Sequence, residues 1–133
     1  MRTVEFSTEK FLPYLPEDCQ ANPGVYGFEL ALWLSQTLAK EGFFTSYPLG
    51  EDWGWFIEYI AGESEIMIGC SSVSAENEGY KGTPISWRVF VTLPRSLIQR
   101  LKGKAAPSLI ERVAEVVKRA LVAEGLSIRE SGA

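Results

Sequence analysis

Two helix-patterned stretches, each closed by a glycine, bracket a run of β-like segments with no helical pattern of its own. This arrangement sets the fold. Asn22-Pro23 reads as a helix start, with Asn as cap and Pro at the first helical position. The helix is predicted to run to about Glu41, where Gly42 supplies a left-handed stop. A second helix is predicted near Ser108–Glu124, with Ser108-x-x-Glu111 matching a capping box or Pro107 as the first helical residue, and Gly125 as its stop. Between them, Asp52–Ala61, Glu65–Ser72 and Ile85–Leu93 are rich in aromatic and branched residues, as strands are. Ala61-Gly62-Glu63-Ser64 reads as a hairpin turn joining the first two. Strands that follow one another with few helices between them disfavour a doubly wound parallel sheet. The expectation is one α+β domain over residues 1–133. It is a two-layer sandwich, an antiparallel meander of three to five strands with both main helices on one face.

Smaller elements are expected around this frame. Met1–Ser7 alternates weakly and reads as a first strand, and Phe43–Tyr47 and Leu126–Arg129 as short extended pieces. Pro13 and Pro16 make Thr8–Gln20 a loop or a single turn, pinned to the core by Phe11, Leu12, Tyr14 and Leu15. Ser74–Thr83 is a polar loop, and Arg95–Lys102 reads as a short helix. A turn of about 100° per residue gathers Phe28, Leu30, Ala31, Leu32, Leu34, Leu38 and Ala39 on one broad inner face of the first helix. Glu29, Trp33 and Gln36 fall outside it, so Trp33 is the one large aromatic this wheel turns towards water.

In the strands, alternation puts Trp53, Trp55, Ile57 and Tyr59 on one face and Gly54, Phe56, Glu58 and Ile60 on the other. Trp87, Val89, Val91 and Leu93 form the apolar set expected to face the helices, with Ser86, Arg88, Phe90 and Thr92 opposite. Which face holds Trp53 and Trp55 is left open by the pattern. They either pack under the helices or form an aromatic shelf on the uncovered side. The leucine-rich helix with Glu29 and Trp33, followed by Glu51-Asp52-Trp53-Gly54-Trp55, resembles a group of small bacterial α+β proteins with no established activity. The resemblance spans Gly27–Cys70. It implies a compact bacterial domain and carries no catalytic role to any residue.

The chain contains no histidine, which removes histidine triads, histidine metal sites and the usual neutral-pH proton carrier. Cys19 and Cys70 are too few for a cysteine-built zinc site. Cys70 lies in an apolar run and reads as a core residue, while Cys19 sits in a polar loop. Ser71 or Ser72 as nucleophile lacks a base other than Lys81 or a carboxylate. A two-carboxylate hydrolase has Glu51, Asp52, Glu58 and Glu29 as its candidates, and a hard-cation site would add Glu76 or Glu78. Neither has a recognisable spacing, and no phosphate-cradling glycine motif is present. No cofactor is called for.

Net charge is −4, and it is unevenly spread. Residues 1–67 hold 3 Lys/Arg against 11 Asp/Glu, and residues 68–133 hold 10 against 6. The acidic balance argues against nucleic acid despite Arg95, Arg100, Lys102 and Lys104 clustering between Arg88 and Arg112. No apolar run approaches the ~20 residues of a membrane span, and no leader-like stretch opens the chain, so a cytoplasmic location is expected. The reading these features favour is a non-catalytic protein-binding module, immunity- or antitoxin-like by analogy. It would use Glu29, Trp33 and the Glu51-Asp52-Trp53 corner to meet a protein partner. The alternative is a small-ligand or carboxylate-enzyme domain, with a pocket between the open sheet and the Ser74–Thr83 loop. Trp53, Trp55 and Tyr59 would line it, with Glu58 or Arg88 orienting the ligand. A homodimer built through the exposed sheet or its edge strand is a third reading.

Overall fold

The computed structural model describes residues 1–62, 64–73, 82–94 and 105–132. In chain order the elements are strand β1 (Arg2–Thr8), helix α1 (Phe28–Lys40), and strands β2 (Leu49–Glu51), β3 (Gly54–Ala61), β4 (Ser64–Ser72) and β5 (Ile85–Thr92). Helix α2 (Ala105–Ala123) and strand β6 (Arg129–Gly132) follow. A single 3-10 turn, Glu17–Cys19, lies in the β1–α1 connection. The strands form one antiparallel sheet in the order β2-β3-β4-β5-β1-β6. The fold is thus the expected α+β meander, with six strands instead of three to five. Leu49–Glu51 adds an edge strand that three residues are too few to announce by alternation. The proposed Arg95–Lys102 helix and most of the Ser74–Thr83 loop lie outside the described residues.

Both helices cover the same face. Helix α1 packs over β3 and β4, and α2 over β5 and β1. Leu30, Leu34 and Leu38 of α1 meet Ile57, Ile66, Ile68 and Trp87 of the sheet, with Val113, Val117 and Leu121 of α2. Each such side chain fully withdrawn from water contributes roughly 1.5–3 kcal/mol. The opposite face of the sheet has no helix over it among the described residues.

The first helix begins at Phe28, six residues after Asn22. Asn22-Pro23-Gly24-Val25 instead closes a β-turn, with Val25 N–H donating to Asn22 O at 3.1 Å and Gly24 at φ 78°. Pro second and Gly third is the type II turn pattern, which outcompetes the capping role of Asn22. Gly27 then brings the chain hard against the sheet, since a Cβ there would lie 2.3 Å from Cys70 O. The second helix starts three residues earlier than Ser108, with Pro107 in its first turn, where the missing N–H costs no helical bond. No helix of the described residues is long and apolar enough to cross a membrane.

Candidate functional site

Trp53 does not belong to the alternation of β3. Glu51 pairs with Gly54, so Asp52 and Trp53 form the two-residue turn between β2 and β3. Gly54, at φ 152°, has no room for a side chain, because a Cβ would sit 2.5 Å from Cys70 O. The indole of Trp53 therefore lies on the uncovered face, 4.9 Å from the Phe90 ring and 6.2 Å from Phe56. Trp55, Ile57 and Tyr59 keep to the helix side. The expected four-residue set is corrected to three, and the shelf holds Trp53 without Trp55.

The register makes the shelf continuous. Leu49, Phe56, Gly69, Phe90 and Thr3 lie in one row across five strands. Gly69 provides the space: a Cβ there would fall 2.2 Å from the Phe90 ring, which leans over the glycine towards Trp53. Ile60, 63% exposed, and Leu49, 42% exposed, extend the apolar strip along the β2–β3 side. Phe44 and Tyr47 are 72% and 83% exposed in the segment beside β3, held there by the Thr45↔Tyr59 bridge and Ser46 N–H on Glu58 O at 2.9 Å. A sheet face with no helix over it is normally polar; among the described residues this one is apolar along its β2–β3 side.

Charge divides this face in two. On the β3–β4 side, Glu58 and Glu65 are neighbours on adjacent strands, with Glu51 and Asp52 exposed at the corner. Partial burial, then the charge and hydrogen bond of Glu65, hold the Glu58 carboxyl above its ordinary value. On the β1 side, Glu5 lies between Arg88 Nε at 3.2 Å and Arg129 Nη2 at 3.7 Å. Arg88 is thus in an ion pair and stands two strands from Glu58. Among the described residues, no three His, Cys, Asp or Glu side chains converge to hold a metal ion.

Glu29 and Trp33 lie on the helix side, away from the Glu51-Asp52-Trp53 corner, so the five residues do not form one surface. Both are drawn inward by the β1–α1 connection, which the helical wheel does not include. Trp33 is half-buried, with its ring 5.1 Å from Phe11. Glu29 is buried, and its Oε2 accepts the Leu15 N–H at 3.0 Å. Leu15 O in turn accepts from Gln20 Nε2 at 3.1 Å, and Gln20 Oε1 from Trp55 Nε1 at 3.2 Å. Phe11 is buried as expected, whereas Leu12 and Tyr14 point to solvent. A cleft of about 680 Å³ opens here, bordered by Lys10, Tyr14, Glu29, Trp33, Gln36 and Glu124.

The proposed pocket of Trp53, Trp55 and Tyr59 is not assembled, because the sheet separates Trp53 from the other two. Ser71 Oγ donates to Trp53 O at 2.8 Å and Ser72 Oγ accepts the Tyr26 N–H at 3.0 Å, so both hydroxyls hold backbone. Cys70 is buried, which pushes its thiol well up, and Cys19 is exposed. The sequence reading missed Phe56, Gly69 and Phe90. The Ala61–Ser64 hairpin pairing was the available signal, since counting back from it sets Phe56 opposite Gly69. Comparison of the chain with family models, curated proteins and solved structures returns no match.

Proposed function

We propose that the chain is a non-catalytic binding module that engages a protein partner through the uncovered face of its sheet. The observation that carries this reading is the Trp53–Phe56–Phe90 cluster, set over Gly69 on a face that no described helix covers. Large aromatics at the centre of a patch are the preferred anchors of protein interfaces. Glu51, Asp52, Glu58 and Glu65 give this patch an acidic rim, which favours a basic partner surface with an apolar anchor. Two unbridged cysteines agree with a reducing compartment such as the cytoplasm. Small acidic immunity- or antitoxin-type proteins offer an analogy of this kind.

The test is a photo-crosslinking residue placed at Ile60 and, as a control, at exposed Val122 on α2, in cells that make the protein naturally. The reading expects a discrete heteromeric adduct from position 60 that is absent from position 122 and lost with Trp53→Ala. Identical adducts from both positions would overturn it. An adduct of twice the chain mass would assign the face to a second copy of the chain instead.

A further inference from the structure

We infer that the partner of the shelf is itself divided in charge, basic opposite the β2–β4 side of the sheet and acidic opposite β5, β1 and β6. This rests on the reading of the shelf as a protein interface and adds its extent and polarity. Anchoring aromatics sit near the centre of an interface. Phe90, against which Trp53 packs, lies on β5, the fourth of six strands in the sheet. A standard interface covers about 800 Å² per partner, a disc of about 16 Å radius. Neighbouring strands are about 4.8 Å apart, so β6 lies only about 10 Å from β5. Ser131 of β6 shares the row of Phe90 through Thr3. A footprint centred on the aromatic cluster therefore takes in β1 and β6. There the face changes sign. Arg88, Glu5 and Arg129 lie side by side on β5, β1 and β6. They stand on the uncovered side, since Trp87 and Val89 to either side of Arg88 are buried under the helices. One carboxylate serves two guanidiniums, with Glu5 at 3.2 Å from Arg88 and 3.7 Å from Arg129. The group keeps one positive charge, and the Arg129 side chain, 79% exposed, presents it to solvent. A partner carboxylate is attracted there and a partner cation repelled. A second copy of the chain does not fit this pattern. Glu5, Glu51, Asp52, Glu58 and Glu65 against Arg88 and Arg129 leave the face negative among the described residues, so two such faces repel.

The experiment places the photo-crosslinking residue at Ser131 and, separately, at Ile60, in cells that make the protein naturally. The same heteromeric adduct mass is expected from both positions. With the crosslinker at Ile60, Arg129→Glu should lower the adduct yield about fivefold, because reversal turns an attraction into a repulsion. Arg129→Lys should keep the yield, and both variants should melt within about 5 °C of the unaltered chain. A heteromeric adduct from Ile60 with none from Ser131 overturns this inference and leaves the shelf reading standing. So does an Ile60 adduct whose yield Arg129→Glu leaves unchanged. No heteromeric adduct from Ile60, or adducts of twice the chain mass from both positions, overturns the two together. The Ser131 adduct needs no change at Arg129, so it decides the matter even if Arg129→Glu fails to fold.

Discussion

At Gly69 a single missing side chain organises a surface. The Phe90 ring crowds the position a Cβ would take, and the Trp53 indole packs against that ring at a tilt of 56°. Gly69→Ala should therefore displace Phe90 and cost about 1–3 kcal/mol by overpacking. Chemical denaturation checks the cost, and a shift in tryptophan emission checks the displacement. Glu58 makes a second prediction at this scale. Its carboxyl is raised first by burial and then by Glu65. A raised carboxyl favours folding below its ordinary value near 4.5, and that contribution is lost as pH climbs through the raised value. Glu65→Gln removes the repulsion and leaves the burial. The variant should be more stable at pH 7 by a few tenths of a kcal/mol, ~0.3–0.5 on this solvent-screened face. The gain should vanish below about pH 4, and thermal midpoints across that range measure it.

Both helices end by one device. Phe43 N–H reaches back to Leu38 O and Gly42 N–H to Ala39 O; Leu126 reaches Leu121 and Gly125 reaches Val122 in the same way. Gly42 and Gly125 both sit at φ 88° with nothing within 4 Å of a Cβ position. Gly125→Ala should thus cost about 1–2 kcal/mol through backbone conformation alone, measurable in denaturant with the m-value unchanged. These ends were legible in the sequence because a glycine after a helix has one strong meaning. The start of α1 was not, because Asn22-Pro23 serves a cap and a turn equally well, and Gly24 decides between them. The β1–α1 connection was also illegible, since its fixings are long-range. Gln20 joins Leu15 O to Trp55 Nε1, and Gln20→Ala orphans both. That change should cost about 1–3 kcal/mol. It should also speed amide exchange in residues 9–26 ahead of the sheet.

Across the whole molecule, the two-layer plan and the helix-facing set of β5 followed from periodicity, which a buried face enforces strongly. The open face did not. Its order depends on which residues lie opposite one another across strands, and Phe56, Gly69 and Phe90 are far apart in sequence. Grouping Glu29 and Trp33 with Trp53 failed for the same reason. The order β2-β3-β4-β5-β1-β6 sets α1 on one side of the sheet and the Trp53 indole on the other. The molecule thus presents an apolar shelf with an acidic rim on one side of the sheet, and both helices on the other. Native mass spectrometry of the protein taken from its own cells, unaltered and as Trp53→Ser, tests the role of the shelf most directly. The account predicts a heteromeric species above the 14.8 kDa chain for the unaltered protein. The variant should give the bare chain alone, with the two melting temperatures within a few degrees, about 5 °C. The same heteromer from both proteins, or only the bare chain from both, would contradict it.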